Sequence, residues 1–312
     1  MGNNLQTDVI YKAFGLSIKS EIPLDELPQI ENNNIDIEVK IEELSKIWSE
    51  FSDSYNAFVV NENLVMFQVP DIATFAIKEG KTIIVSPLEM YDEDVVRLYL
   101  LGTCMGAILM QRNIYPLHGS CIEINGKAYA IVGESGAGKS TLASAFLNEG
   151  YKLLSDDVIA ITLSTEENLP YVIPAYPQQK LWEESLRNFG LDLGDLRSIH
   201  GRETKYNVPV SQYHDKQLPL AGVFELIISK TNKIELRKIE RLEQFYTLFT
   251  HTFRNCLIRN LGLMDWHFQT SAKILKNIKL FQLGRPDGVF STPQLVSIML
   301  TTINKGETRN GR

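Results

Sequence analysis

The sequence predicts an α/β (α+β) fold, with a β-rich N-terminal region followed by a phosphate-loop unit. Three observations predict it. Ile35-Asp36-Ile37-Glu38-Val39-Lys40-Ile41 alternates strictly between apolar and polar residues, the period of a strand with one buried face. Gly133-Glu134-Ser135-Gly136-Ala137-Gly138-Lys139-Ser140 fills every required position of the G-x-x-x-x-G-K-[ST] phosphate-binding loop. The turn dipeptide Asn125-Gly126 joins Ser120-Cys121-Ile122-Glu123-Ile124 to the strand that leads into that loop. A hairpin approach of this kind is unusual for a parallel phosphate-loop sheet.

The elements follow in order. Ala57-Phe58-Val59-Val60 and Leu64-Val65-Met66-Phe67-Gln68-Val69 read as strands. So do Ala73-Thr74-Phe75-Ala76-Ile77-Lys78 and Thr82-Ile83-Ile84-Val85, which flank the turn Glu79-Gly80-Lys81. Asp92 or Asp94 caps a helix to about Gln111, with Val95, Leu98, Leu101 and Met105 on its apolar face. The division is into a β-rich domain, residues 1–95, and a phosphate-loop domain, residues 96–312. Ala128-Tyr129-Ala130-Ile131-Val132 is a buried strand, and Thr141 to Glu149 a helix with Gly150 at its C-terminal end. Tyr151 to Ile161 reads as a strand interrupted by two acids, and residues 186–220 as a long polar loop. Phe224 to Ile228 and Ile234 to Ile239 read as a hairpin around Lys230-Thr231-Asn232-Lys233. Helices are expected at about 241–261 and 266–278, and from Ser291-Thr292-Pro293 onward, with a frayed tail from Gly306 to Arg312.

Composition excludes several classes. The chain has 312 residues, 44% apolar and 22% charged, ordinary values for a globular protein. Its net charge of −7 argues against a general nucleic-acid binder. Cys104, Cys121 and Cys256 are dispersed and lack metal-ligand spacing, as expected of reduced thiols in a cytoplasmic protein. The N-terminus carries neither a signal peptide nor a myristoylation signal. The best candidate for a membrane span, Val95 to Met110, is too short and is interrupted by Arg97.

The phosphate loop carries the first chemistry. Its glycines let backbone N–H groups point inward around phosphate, and the following helix adds the positive end of its dipole. Gly133, Glu134, Ser135, Gly136, Ala137, Gly138, Lys139, Ser140 and Thr141 therefore form the expected nucleoside triphosphate site. Lys139 reaches the β- and γ-phosphates, and the Ser140 hydroxyl ligates Mg²⁺.

Asp156 and Asp157 follow one helix later. Phosphoryl transfer needs one carboxylate for Mg²⁺ and often another for the proton of the attacking hydroxyl. Neighbours on an extended segment point opposite ways, so the pair suits two tasks. Asp156 is assigned to the attacking hydroxyl and Asp157 to the metal, an order open to exchange. His118 sits at the start of the hairpin, where it can orient an acid or stabilise charge. Arg202 and Lys205 belong to the long polar loop, and Arg254 and Arg259 to a helix. All four are candidate phosphate or substrate contacts. Asn232-Lys233-Ile234-Glu235 ends in Glu where a guanine-reading motif has Asp, and is read as a turn.

Together, Leu117-His118-Gly119-Ser120, the Asn125-Gly126 hairpin, Gly133 to Ser140, and Leu154-Ser155-Asp156-Asp157 resemble the catalytic core of the HPr serine kinase family. The resemblance is specific over about residues 115–162. It implies a fold akin to phosphoenolpyruvate carboxykinase, with the loop embedded in a mixed sheet, and a functional role for His118. The first 95 residues do not resemble the N-terminal domain of the HPr kinases. The family's second glycine-rich signature is replaced by Pro174-Ala175-Tyr176-Pro177 and Lys180-Leu181-Trp182. Tyr11 to Leu16 and Glu21-Ile22-Pro23-Leu24 resemble instead a divergent branch found with ribosomal-peptide pathways, including lasso peptide kinases.

The resemblance implies an ATP- and Mg²⁺-dependent kinase for a serine hydroxyl of a peptide, such as the C-terminal serine of a lasso precursor. The expected catalytic residues are Asp156, His118 and Lys139. The expected partner is a serine-bearing peptide or protein, with no nucleic acid or membrane, and a homo-oligomer is compatible with the reading. Two alternatives are a kinase for a small-molecule hydroxyl or an HPr-like carrier protein, and an ATP-binding regulatory module without catalysis.

Overall fold

The structure, a computed structural model, describes residues 9–310 except 33, 52–57, 193, 195, 200, 201, 230 and 232. Of residues 202, 203 and 306–310 it describes the backbone alone. The N-terminal part contains β1 (Ile10–Ala13), β2 (Leu16–Ser20), β3 (Gln29–Ile30), β4 (Ile37–Ile41), α1 (Ser45–Phe51), β5 (Val59–Asn61), β6 (Leu64–Val69), β7 (Ala73–Lys78) and β8 (Thr82–Pro87). These strands form one sheet in the order β3-β1-β2-β4-β8-β7-β6-β5. In β4 the alternation does what it predicts. Ile37 and Val39 are buried, while Glu38 and Lys40 are partly exposed.

The helix predicted after this sheet begins at Asp92, whose carboxylate accepts from the backbone N–H of Asp94 (2.9 Å) and Val95 (3.2 Å). It runs as α2 (Glu93–Tyr99), a π-helical turn Leu100–Cys104 and α3 (Met105–Gln111). Every residue of the π-helical turn is buried. Such turns are uncommon and recur at functional sites. The three segments pack in a core that includes Phe14, Phe75 and Ile77 from one side of residue 95, and Val158, Ile173 and Phe253 from the other.

The remainder comprises β9 (Tyr115–Ile124), β10 (Lys127–Val132), α4 (Lys139–Asn148), β11 (Lys152–Ser155), β12 (Val158–Leu163), β13 (Pro170–Ile173), β14 (Gln178–Trp182), α5 (Glu183–Asn188), β15 (Ser198–Ile199) and β16 (Arg202–Pro209). It ends with β17 (Leu218–Ile228), β18 (Glu235–Ile239), α6 (Leu242–Thr250), α7 (Cys256–Asn260), α8 (Met264–Asn277), β19 (Lys279–Arg285) and α9 (Thr292–Asn310). The second sheet has the order β10-β9-β12-β13-β17-β19-β18. It is mixed: β10 is antiparallel to β9 and parallel to β17, and β17 is parallel to β19. The hairpin approach to the loop is present, with Asn125 (φ 53°) and Gly126 (φ 73°) both left-handed as a tight two-residue turn demands. α4 and α9 cover one face of the loop strand. Their core includes Leu142, Phe146, Val296 and Met299, each such side chain contributing about 2 kcal/mol by burial.

Five expectations change. Tyr151 to Ile161 is two strands, β11 and β12, which pair with different halves of the long β9. The 186–220 loop contains β15 and β16, which join β14 in a separate small sheet. β17 and β18 are not a hairpin, because β19 lies between them. The physical reason is burial: β17 is largely buried and takes a central place, while β18 exposes four of its five residues and suits an edge. The 241–261 helix breaks into α6 and α7 around Arg254, whose φ of 51° no helix tolerates. α9 remains helical to Asn310, where a frayed tail was expected, and residues 311 and 312 lie outside the described residues. Among the described residues no helix is long and apolar enough to cross a membrane, and the three cysteines are free.

Candidate active site

The phosphate loop connects β10 to α4 at one end of the mixed sheet. Gly133 adopts a φ of 151°, and a Cβ there would lie 2.3 Å from the Leu226 carbonyl oxygen of β17. Strand β17 therefore closes in on the loop from behind. Gly136 (φ 86°) faces open space, so its backbone is free to approach a ligand. Gly138 (φ 102°) precedes the first residue of α4. Lys139 is buried, and its Nζ donates to the carbonyls of Gly133 (2.8 Å) and Glu134 (3.0 Å). Burial lowers its pKa, against the opposing pull of Asp156 and Asp157. Thr141 Oγ1 and Ser185 Oγ share a hydrogen bond of 2.7 Å.

The two aspartates occupy the turn between β11 and β12, and they diverge. Asp156 is buried. Its Oδ1 accepts from Ser140 Oγ (3.0 Å) and from Ser120 Oγ, and its Oδ2 from the backbone N–H of Lys180 (2.9 Å). Asp157 has a φ of 73°, which swings its side chain to the other side of the turn. There its Oδ2 accepts from Lys180 Nζ at 2.7 Å, and its Oδ1 lies 3.5 Å from His118 Nδ1. His118 Nδ1 donates to the Asp157 backbone carbonyl at 2.9 Å, which fixes the ring.

Electrostatics follows from this packing. Burial would raise the Asp157 pKa, but Lys180 and His118 outweigh it and hold the carboxyl well below the usual carboxylate range. Burial would likewise lower that of Lys180, and Asp157 reverses it. For His118 burial prevails over Asp157, so its pKa falls and the neutral imidazole is favoured.

The sequence expectation paired Ser140 with Asp157 for the metal and set Asp156 aside for the hydroxyl. The order was open to exchange, and the contacts are those of the exchanged order: Ser140 meets Asp156, and Asp157 faces His118 and Lys180. The positive φ at Asp157 is the cause, and no residue type announces it. Ser140 and Asp156 offer oxygens, the donor set that Mg²⁺ takes. Among the described residues no three His, Cys, Asp or Glu side chains gather as a metal cage.

A cavity of about 1240 Å³ unites these groups. Lys205 lines it, 5.5 Å from the Trp182 ring centroid, and Arg254 lines it from the break between α6 and α7. Arg259 does not line it. It is an exposed residue on α7, because the helix break turns it away. The side chain of Arg202 lies outside the described residues.

Four groups were missed. Ser120 sits two residues beyond His118 on β9, a spacing that puts both on one face and was available as a signal. Lys180 touches both aspartates, by backbone and by side chain. Arg285, at the end of β19, donates to the loop carbonyls of Ala137 (2.7 Å) and Gly136 (3.2 Å). His251 lines the cavity and bonds Glu225 at 2.9 Å, and Glu225 also accepts from Gln282. The last three come from remote elements and carry no local motif.

The fold and site define a phosphate-loop α/β protein with a carboxylate pair set against the loop. Residues 111–205 match the HPr Serine kinase C-terminal domain. Similar proteins include the HPr kinase/phosphorylase of Mycoplasmopsis pulmonis, 33% identical over 103 residues, 32% of this chain and 31% of that protein. That of Bordetella pertussis is 35% identical over 85 residues (27% and 26%). That of Nitrosomonas europaea is 27% identical over 135 residues (39% of each). The Hpr(Ser) kinase/phosphatase structure from Coxiella burnetii is similar at a TM-score of 0.36 and 15% identity, covering 62% of this chain and 94% of that one. The similarity to the HPr serine kinases lies in the matched segment, under a third of the chain. The chain spans about a third of the length of the Mycoplasmopsis relative and about a quarter of the Bordetella one.

Proposed function

We propose that the chain is an ATP- and Mg²⁺-dependent kinase that transfers the γ-phosphate to a serine hydroxyl of a peptide or protein. The observation that carries this reading is the division of the aspartates at the mouth of the phosphate loop. One carboxylate touches the loop serine, and the other touches a histidine and a half-buried lysine. A module that only binds nucleotide has no use for the second.

The loop amides and Lys139 hold the phosphates, and Arg285 holds the loop by two of its carbonyls. Ser140 and Asp156 hold Mg²⁺, which supplies charge neutralisation at the β- and γ-phosphates. Asp157 orients the acceptor hydroxyl and takes its proton, and His118, neutral through burial, braces the Asp157 backbone by donating from Nδ1 to its carbonyl. The strongly lowered pKa of Asp157 makes it a weak base. Orientation is then its larger contribution, in keeping with a loose transition state that needs little deprotonation of the nucleophile. Lys205 adds positive charge on the same cavity wall. The C-terminal serine of a lasso precursor peptide is the acceptor we infer, on the resemblance of residues 11–24 to that branch.

The test is incubation of the full chain with Mg²⁺, ATP and peptides ending in serine. A peptide that gains one phosphate group by mass supports the reading. Nucleotide binding with no transfer to any peptide or protein leaves the regulatory-module alternative standing instead.

A further inference from the structure

The cavity has a wall that the phosphate chemistry does not use. Arg254 stands there with a φ of 51°, a left-handed backbone that costs an ordinary side chain and persists where surrounding structure holds it. Its Nη2 donates to Thr103 Oγ1 in the buried π-helical turn at 3.0 Å. The guanidinium lies 5.8 Å from the centre of the Phe253 ring and 5.9 Å from that of Phe58, within cation–π range of both. Among the described residues no carboxylate pairs with it. The next residue in the π turn, Gly102, is close to the acceptor side: a Cβ there would be 4.0 Å from Asp157 Oδ2. Phe253 in turn packs against His118, with ring centroids 5.7 Å apart. The guanidinium is tied to this wall, whereas the phosphate loop has its own basic groups in Lys139 and Arg285.

We propose that Arg254, with Thr103, binds a carboxylate of the acceptor that lies close in the acceptor chain to the hydroxyl held at Asp157. A planar guanidinium with a fixed rim offers the fork that a carboxylate fits. Against the chain's net charge of −7, an anionic acceptor needs local positive charge, and Arg254 supplies it on this wall. The carboxylate is either the acceptor's C-terminus or an acidic side chain beside the serine. The proposal rests on the kinase reading for its orientation, but its test reads binding alone.

Three peptides, each with alanine in place of the accepting serine, separate the sources. One ends in a free carboxylate, one in an amide, and one in an amide with aspartate beside the alanine. Each is titrated calorimetrically into the full chain with Mg²⁺ and a non-hydrolysable ATP analogue. At least one carboxylate-bearing peptide binds about tenfold tighter than the neutral one, and which one identifies the source. Arg254→Gln removes that difference and leaves analogue affinity within about twofold. Arg254→Asn, whose side chain tolerates the left-handed backbone, gives the same answer should the glutamine variant unfold. The proposal is overturned if the three peptides bind the unmodified chain alike or not at all, or if Arg254→Gln weakens the analogue as much as the peptide. Carboxylate-dependent binding without phosphate transfer to the serine forms would keep this site and sink the kinase reading.

Discussion

The two walls of the cavity are built in different ways. The nucleotide wall is one continuous stretch, β10, loop and α4, and its groups are neighbours in sequence. The other wall, to which the proposed function assigns the acceptor, is assembled from β9, the π-helical turn, β14 and the break between α6 and α7, across more than a hundred residues of chain. Phosphate is always the same ligand, so a local motif suffices to bind it. An acceptor differs from protein to protein. Its wall is gathered from remote elements, two of which also reach the loop side: β9 pairs with β10, and Lys180 on β14 donates to Asp156.

The largest test of this contrast lies where the walls meet. Asp157→Asn is expected to lower transfer by about 10² to 10⁴, with nucleotide affinity changed no more than about twofold. Asp156→Asn should lower Mg²⁺-dependent nucleotide binding and transfer together. Single-turnover kinetics and a fluorescent-nucleotide titration read the two. If Asp156→Asn is the variant that spares binding, the exchanged roles are wrong.

Lys180→Met probes how far the acceptor wall depends on one partly buried ion pair. It leaves Asp157 without its closest cation and is expected to lower stability by about 2–3 kcal/mol in urea denaturation. A loss of a few tenths of a kcal/mol would show the pair to be solvated. Arg285→Gln probes the nucleotide wall. It releases the carbonyls of Gly136 and Ala137 and is expected to weaken ATP binding about tenfold, with the acceptor KM unchanged. An effect on the acceptor KM alone would move Arg285 to the other wall.

The smallest effect is in pH. The folded pKa of Asp157 lies below its ordinary value of 3.8, so its stabilising share is complete above that value. It is lost as pH falls through the folded value. Between pH 5 and pH 3 the unmodified chain should therefore lose about 1 kcal/mol more than Asp157→Asn does. Equal slopes in the two denaturation series would mean that Lys180 and His118 do not hold the carboxylate as the geometry indicates.

The fold was legible where a pattern repeats locally. Strict alternation marked β4, the acids Asp92 and Asp94 marked the start of α2 without choosing between them, and Asn125-Gly126 marked the hairpin into β10. The failures share a cause. β18 reads as the hairpin partner of β17 because they are successive apolar runs, but strand order depends on which strand finds burial on both faces. The continuous helix expected over 241–261 follows its apolar period, and the period gives no sign of the turn at Arg254.

By itself the sequence determined the nucleotide wall, because glycines, a lysine and a serine at fixed spacing dictate backbone N–H groups around phosphate whatever surrounds them. It also placed Asp156, Asp157 and His118 near that loop. Tertiary structure alone decided which aspartate meets Ser140. It also decided that Lys180 touches both acids, that Arg285 grips the loop, and that Arg254 faces the cavity while Arg259 does not. Each of these depends on a backbone angle or a long-range strand pairing. Such features are set by the packing of the whole chain and leave no mark in the residues on either side.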